Sequence, residues 1–176
     1  MKKYILSEIF TLIPKELYTP QTGEFVLKEQ FSLESGYDFY SHLYENGNAV
    51  VSYALPENVK KEYSKGENIY PLIVKLLDEA NAIESFNKVI FHYCTNKRIA
   101  HIVIYMGDEL KLANSFKADS FESALYFLFL SIQQQQMNPK QCVVRVCSEI
   151  LPQQEDTIKK FFNGVEKNNL NNIILK

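Results

Sequence analysis

Residues 88–115 hold three strand-like segments, "KVIFHYC" (88–94), 98–106 and 109–115, separated only by tight turns. This stretch constrains the fold more than any other, because segments joined so closely pair as an antiparallel meander. The pattern then changes period. A helix is expected over about 120–136, with Phe121, Leu125, Leu128 and Ile132 on one face and Phe127 and Leu130 elsewhere on it. A helix apolar on more than one side is buried on more than one side. Asp119 and Glu122 have the spacing of a capping box at its start. A strand follows at 141–147, then an amphipathic helix over "EDTIKKFF" ending near Gly164, then "NIILK" as a closing strand.

The resulting order, β-β-β-α-β-α-β, is that of a ribonuclease-H-like unit, the repeated half of actin-like ATPases, and places the chain in the α/β class. The earlier residues read as strand, helix, strand, helix. Ile9–Ile13 is an apolar run stopped by Pro14, "PKELY" reads as a helical turn, and Phe25–Leu27 as a strand. Residues 32–48, rich in Ser, Gly, Asp and Asn, read mostly as loop. "AVVSYAL" (49–55) is a buried strand closed by Pro56, and a helix from Glu57 ends at Gly66. From Ile69, steps of three and four through Leu72, Ile73, Leu76, Leu77 and Ala80 predict another helix, with Pro71 in its first turn. Residues 1–86 are therefore expected to form a partial first half (β-α-β-α) and residues 87–176 a complete second half.

Bulk properties exclude some roles. The net charge is −2 and lysines are scattered, so a basic surface for nucleic acid or anionic membrane is not expected. No segment reaches the roughly 18 apolar residues of a membrane span, and Glu8 and Pro14 interrupt the N-terminal apolar stretch that a leader needs. Cys94, Cys142 and Cys147 are an odd set without a Cys-x-x-Cys pair, which fits a reduced, cytoplasmic setting.

Three phrases carry a resemblance: "FTLIPKELY" (10–18), "LKLANSFKADSFESALYFLFLSIQQQQMNPKQ" (110–141) and "CVVRVCSEI" (142–150). Together they resemble an uncharacterised Bacteroidetes family, the domain-of-unknown-function 3822 family, from about residue 9 to about residue 165. Asn114 and Phe116 match its Asn-x-Phe phrase; Phe121, Tyr126 and the glutamines match its helix. The resemblance implies an actin-like ATPase fold and no assigned activity. Relatives carry extra strands before the first phrase, which implies a truncated first lobe here. They often have glycine where this chain has Cys147-Ser148.

An ATPase of this type needs glycine-rich hairpin turns, so that backbone N–H groups approach phosphate, and an aspartate for the magnesium shell. The first turn, Thr95–Arg98, has neither; Gly107-Asp108 has both but joins the second and third strands. A two-metal nuclease needs clustered carboxylates including one on the first strand. "KVIFHYC" has none, and Asp108 and Glu149 are isolated. If the loops are Asn96-Lys97 and Gly107-Asp108, then His92, His101 and Asn114 form one polar row across three strands, on the face of Cys94. Two histidines and a cysteine are zinc-ligand types, yet a closed site needs a fourth ligand; hydrogen-bonded polar packing is the plainer reading. Cys94 beside His92 is also a nucleophile pattern, without the helix N-terminus or cation that activates a thiol.

The expected role is a non-catalytic scaffold or protein-binding module, with no cofactor, working as a homodimer or with a protein partner that covers an open sheet edge. Tyr37, Tyr40, Tyr44 and Tyr63 are candidate interface tyrosines. The alternatives are ATP binding between the two halves and a metal site on the His92/His101 row.

Overall fold

The computed structural model describes residues 2–59, 68–170 and 173–174. The chain divides into two compact units, residues 1–74 with 172–176, and residues 75–171. Among the described residues no helix is long and apolar enough to cross a membrane.

In the first unit, β2 (Phe10–Pro14), β4 (Ala49–Pro56) and β3 (Tyr37–Tyr44) form an antiparallel sheet in the order β2-β4-β3. β1 (Lys2–Ile5) lies between β5 (Asn68–Pro71) and β11 (Ile173–Ile174) in a parallel sheet. Helix α1 (Pro20–Phe31) packs on β4 so closely that a Cβ at Gly23 would stand 2.6 Å from Ser52 Oγ.

Three expectations for this region are corrected. Residues 25–27 are helical, because Thr19-Pro20 starts a helix: Thr19 Oγ1 accepts from Thr22 N–H at 3.0 Å, and proline tolerates the first turn. Residues 37–44 are a strand, because all eight pair with β4, from Tyr37 opposite Pro56 to Tyr44 opposite Ala49. Its aromatic residues, Tyr37, Phe39, Tyr40 and Tyr44, outweigh its polar ones. Residues 68–71 are strand β5, because parallel pairing with β1 outweighs the helical period; the helix, α2, spans Leu72–Asn81. The helix expected from Glu57 to Gly66 lies largely outside the described residues.

The second unit is one five-stranded sheet, order β10-β9-β6-β7-β8. β6 (Asn87–Cys94), β7 (Ile99–Met106) and β8 (Glu109–Lys117) form the antiparallel meander. β9 (Val143–Val146) is parallel to β6, and β10 (Gly164–Lys167) is parallel to β9. Helices α3 (Phe121–Gln134) and α4 (Pro152–Phe161) lie over one face. There Phe91, Ile102 and Val144 of the sheet pack with Leu125, Leu128 and Ile158 of the helices, all buried. The closing strand of this unit is 164–167. Residues 173–174, expected to play that part, pair instead with β1 of the first unit.

Helix α3 begins with Ser120, not Asp119, as its cap: Ser120 Oγ accepts from Ser123 N–H at 3.2 Å. Asp119 is exposed and sits 3.6 Å from Arg98. Ser120→Ala is therefore expected to cost about 1 kcal/mol of stability, and Asp119→Ala less than about 0.5 kcal/mol. Urea unfolding of the two variants checks this; a larger loss for Asp119→Ala would contradict the assignment.

Candidate functional site

The β6–β7 hairpin closes as the spacing predicts, with His92 opposite His101 and Cys94 opposite Ile99. Its turn, Thr95–Arg98, is held by an Arg98 N–H bond to the Thr95 carbonyl at 3.3 Å, with Arg98 left-handed at φ 54°. The Arg98 carbonyl accepts from Ala118 N–H at 2.8 Å, which ties the turn to the chain entering α3. The Gly107-Asp108 turn has Gly107 at φ +62°, its N–H donating to the Phe86 carbonyl at 2.7 Å. The Phe86 ring stands 3.0 Å from where a Cβ at Gly107 would be, so this backbone is covered by an aromatic side chain.

His92 and His101 face away from the α3/α4 side, on the face that carries Ile90, Cys94 and Val103. Both imidazoles are buried, their ring centres 5.7 Å apart and the planes inclined by 65°. His92 Nδ1 has no hydrogen-bond partner among the described residues. Burial, and then the facing His101, push the His92 pKa down to about 3, so this histidine is neutral in the folded chain.

The expected third member does not join the row. β8 carries a bulge: Tyr105 pairs with Leu110 but Ile104 pairs with Leu112, leaving Lys111 extra. The slip puts Ser115 opposite His101 and Asn114 opposite Ile102. Asn114 thereby turns to the α3 face, since a shift of one residue reverses the side of every later side chain. Cys94 is buried at the end of β6. Among the described residues no three His, Cys, Asp or Glu side chains gather around a point, Asp108 and Glu149 included.

The polar constellation that does assemble was not legible in the sequence. Arg145 of β9 reaches across the same face to the end of α2. Its Nη1 donates to the Glu79 carbonyl at 2.9 Å and to Glu79 Oε2 at 3.2 Å, and its Nη2 to the Ala82 carbonyl at 3.2 Å. Nε donates to Glu166 Oε2 of β10 at 2.8 Å. Glu79 also receives Lys75 Nζ at 2.7 Å and Asn168 Nδ2 at 2.7 Å. Burial alone would raise the Glu79 carboxyl; the hydrogen bonds from Lys75 and Asn168, with the Lys75 and Arg145 charges, outweigh it and hold the group below its ordinary pKa. Arg145 joins β9 to the end of α2 and to Glu166 of β10, so the arrangement serves to fasten α2 to the sheet.

The nearby thiols are unsuited to nucleophilic work. Burial, then the Glu79 charge, push Cys147 up to about 12, and burial pushes Cys142 up to about 11. At the Cys147-Ser148 position, Cys147 N–H donates to the Phe91 carbonyl at 2.8 Å and Ser148 Oγ accepts from Tyr93 N–H at 3.1 Å. Side chain and strand thus satisfy these backbone groups. An open cleft of about 480 Å³ beside the start of α3 is lined by both charge signs, among them Lys117, Asp119 and Glu122, and by Tyr126 and Phe127.

Comparison with solved structures gives the fold. A Bacteroides thetaiotaomicron protein with actin-like ATPase fold and unknown function matches with a TM-score of 0.77 at 19% identity, over 95% of this chain and 67% of that one. A PilM-PilN type IV pilus biogenesis complex matches with a TM-score of 0.47 at 10% identity, over 99% of this chain and 72% of that one. No protein of curated function matches. A family model, "Protein of unknown function (DUF3822)", matches residues 4–165, so the chain belongs to that family and has the actin-like ATPase fold.

Proposed function

We propose that this chain is a non-catalytic protein-binding module on an actin-like ATPase fold. The observation that carries the reading is the Thr95–Arg98 turn. It stands where the second half of such a fold would offer a phosphate-binding hairpin, and has neither the glycine for close backbone approach nor the aspartate for a magnesium shell. The Gly107 turn, which has both residue types, is packed under Phe86. The buried thiols with raised pKa values add no nucleophile.

Thermal unfolding in the presence of ATP, ADP and magnesium tests this. A ligand at a hundred times its dissociation constant adds about 2.7 kcal/mol of stability. The expected result is no saturable rise in melting temperature up to millimolar nucleotide. A saturable rise would overturn the reading and establish the nucleotide-binding alternative.

A further inference from the structure

We propose that Asn163-Gly164 is a self-modifying site, at which the Gly164 backbone nitrogen attacks the Asn163 side-chain amide and, with water, converts the residue to isoaspartate. The conversion lengthens the chain by one backbone atom at the entry to β10 and loosens the Arg145 fastening.

The chain holds two Asn-Gly pairs, Asn46-Gly47 and Asn163-Gly164. In such a pair the following nitrogen closes a five-membered ring on the asparagine Cγ. Glycine, without a Cβ, neither shields that nitrogen nor resists the backbone rotation that brings it to Cγ. Asn163 is exposed. It lies outside both α4, which ends at Phe161, and β10, which begins at Gly164. Glycine is needed at position 164 for packing, because a Cβ there would stand 3.1 Å from Val143 Cγ2 of β9. β10 is four residues long, and β9 is its one strand neighbour among the described residues. A short edge strand opens locally at little free-energy cost, and that opening frees the Gly164 nitrogen to reach Cγ.

The bonds are exchanged without oxidation or reduction. The bond from Gly164 N to Asn163 Cγ forms and the Cγ–Nδ2 bond breaks. The side-chain nitrogen leaves as ammonia, with the Gly164 amide proton. The cyclic imide then takes up one water molecule from solvent. Water added at Cγ gives aspartate. Water added at the Asn163 main-chain carbonyl carbon leaves the chain running through Cβ and Cγ, as isoaspartate. The extra atom falls between two anchored points. On one side Phe162 is buried, its N–H donates to the Ile158 carbonyl at 3.2 Å, and Lys140 Nζ holds the Lys160 carbonyl at 2.6 Å. On the other side Gly164 pairs with Val143. Two bonds of the fastening lie just beyond: Glu166 Oε2 accepts from Arg145 Nε at 2.8 Å, and Asn168 Nδ2 donates to Glu79 Oε2 at 2.7 Å. A displacement of β10 by the added atom reaches both.

The full chain, held folded at mildly alkaline pH and sampled over weeks, tests this. Cleavage after lysine in mild acid releases the peptide Phe161–Lys167, which mass spectrometry reads. The expected result is a heavier form of this peptide, with the mass gain of an amide-to-acid exchange and isoaspartate as its major isomer. It should accumulate faster as the pH rises, because loss of the Gly164 amide proton makes the nitrogen a nucleophile. Asn163→Gln, in which the attack would need a six-membered ring, should show no heavier form. The aged wild type should unfold at a lower urea concentration than the equally aged Asn163→Gln variant, which carries any change at Asn46 alike. Fresh Asn163→Asp has the new charge without the extra backbone atom and should keep the midpoint of the fresh wild type. A Phe161–Lys167 peptide that stays unchanged while the peptide containing Asn46 converts would overturn the proposal, with β10 pairing as the shield. Conversion with no loss of stability, or a fresh Asn163→Asp as weak as the aged wild type, would overturn the loosening of β10.

Discussion

Arg145→Ala is expected to lower the unfolding free energy by about 3 kcal/mol, among the largest losses from one polar side chain in this protein. Removal of the guanidinium takes the side-chain donor from the Ala82 carbonyl and leaves the Glu79 carbonyl with the Ala82 N–H at 3.2 Å. It also leaves the nearly buried Glu79 with less positive charge beside it. Lys75 and Asn168 still hold Glu79, which keeps the loss toward the lower end of what breaking a buried pair costs. Arg145→Lys keeps the charge but lacks the fork that spans Glu79, Ala82 and Glu166, so an intermediate loss of about 2 kcal/mol is expected. Urea unfolding reads both. A double-mutant cycle with Glu79→Gln should return a coupling above about 1 kcal/mol. A loss below about 1 kcal/mol for Arg145→Ala would mean that the network is not the fastening described here.

Acid is expected to weaken the fold well before the carboxylates titrate. His92 is held at about 3 in the folded chain, against an ordinary value of 6.5. The unfolded chain therefore takes up a proton at His92 between those values and the folded chain does not. With the folded value depressed, the stability tied to neutral His92 is complete above about pH 6.5. It is lost as the pH falls toward 3, at up to roughly 1.4 kcal/mol per pH unit. Glu79, also depressed, begins to lose its contribution only as the pH falls through its ordinary value of 4.5. A comparison of pH 7 with pH 5 thus separates histidine titration from that of the carboxylates, and the His92 variant identifies which histidine. The wild-type melting temperature should drop between these pH values. In His92→Leu, which removes the proton site and suits a buried strand position, the drop should largely disappear. An equal drop in the two proteins would place the acid sensitivity elsewhere.

Much of the fold follows from local pattern. Hairpin strands joined by short turns pair with their neighbours, which is why the register His92 opposite His101 is readable from loop length alone. The helices α2 and α3 announce themselves by spacing, to within a few residues. The candidate site was less legible. The bulge at Lys111 has no glycine or proline to mark it, and it moved Asn114 to the far face of the sheet. The Arg145 fastening joins residues 66 and 89 positions apart in its Glu79 contacts, which no local spacing encodes.

The amino-acid sequence by itself determined the α/β class, the β-β-β-α-β-α course that begins at β6, and the Thr95–Arg98 turn without glycine or aspartate. These rest on periodicity and on residue types at turns, which act over a few positions. Tertiary structure alone decided which segments become β3, β10 and β11. Residues 37–44 are strand because β4 lies beside them. Residues 164–167, not 173–174, close the second sheet because β9 is their neighbour. Residues 173–174 join β1 across nearly the whole length of the chain. Such pairings take their stability from a partner strand distant in sequence, so the segment's own residues record them only weakly.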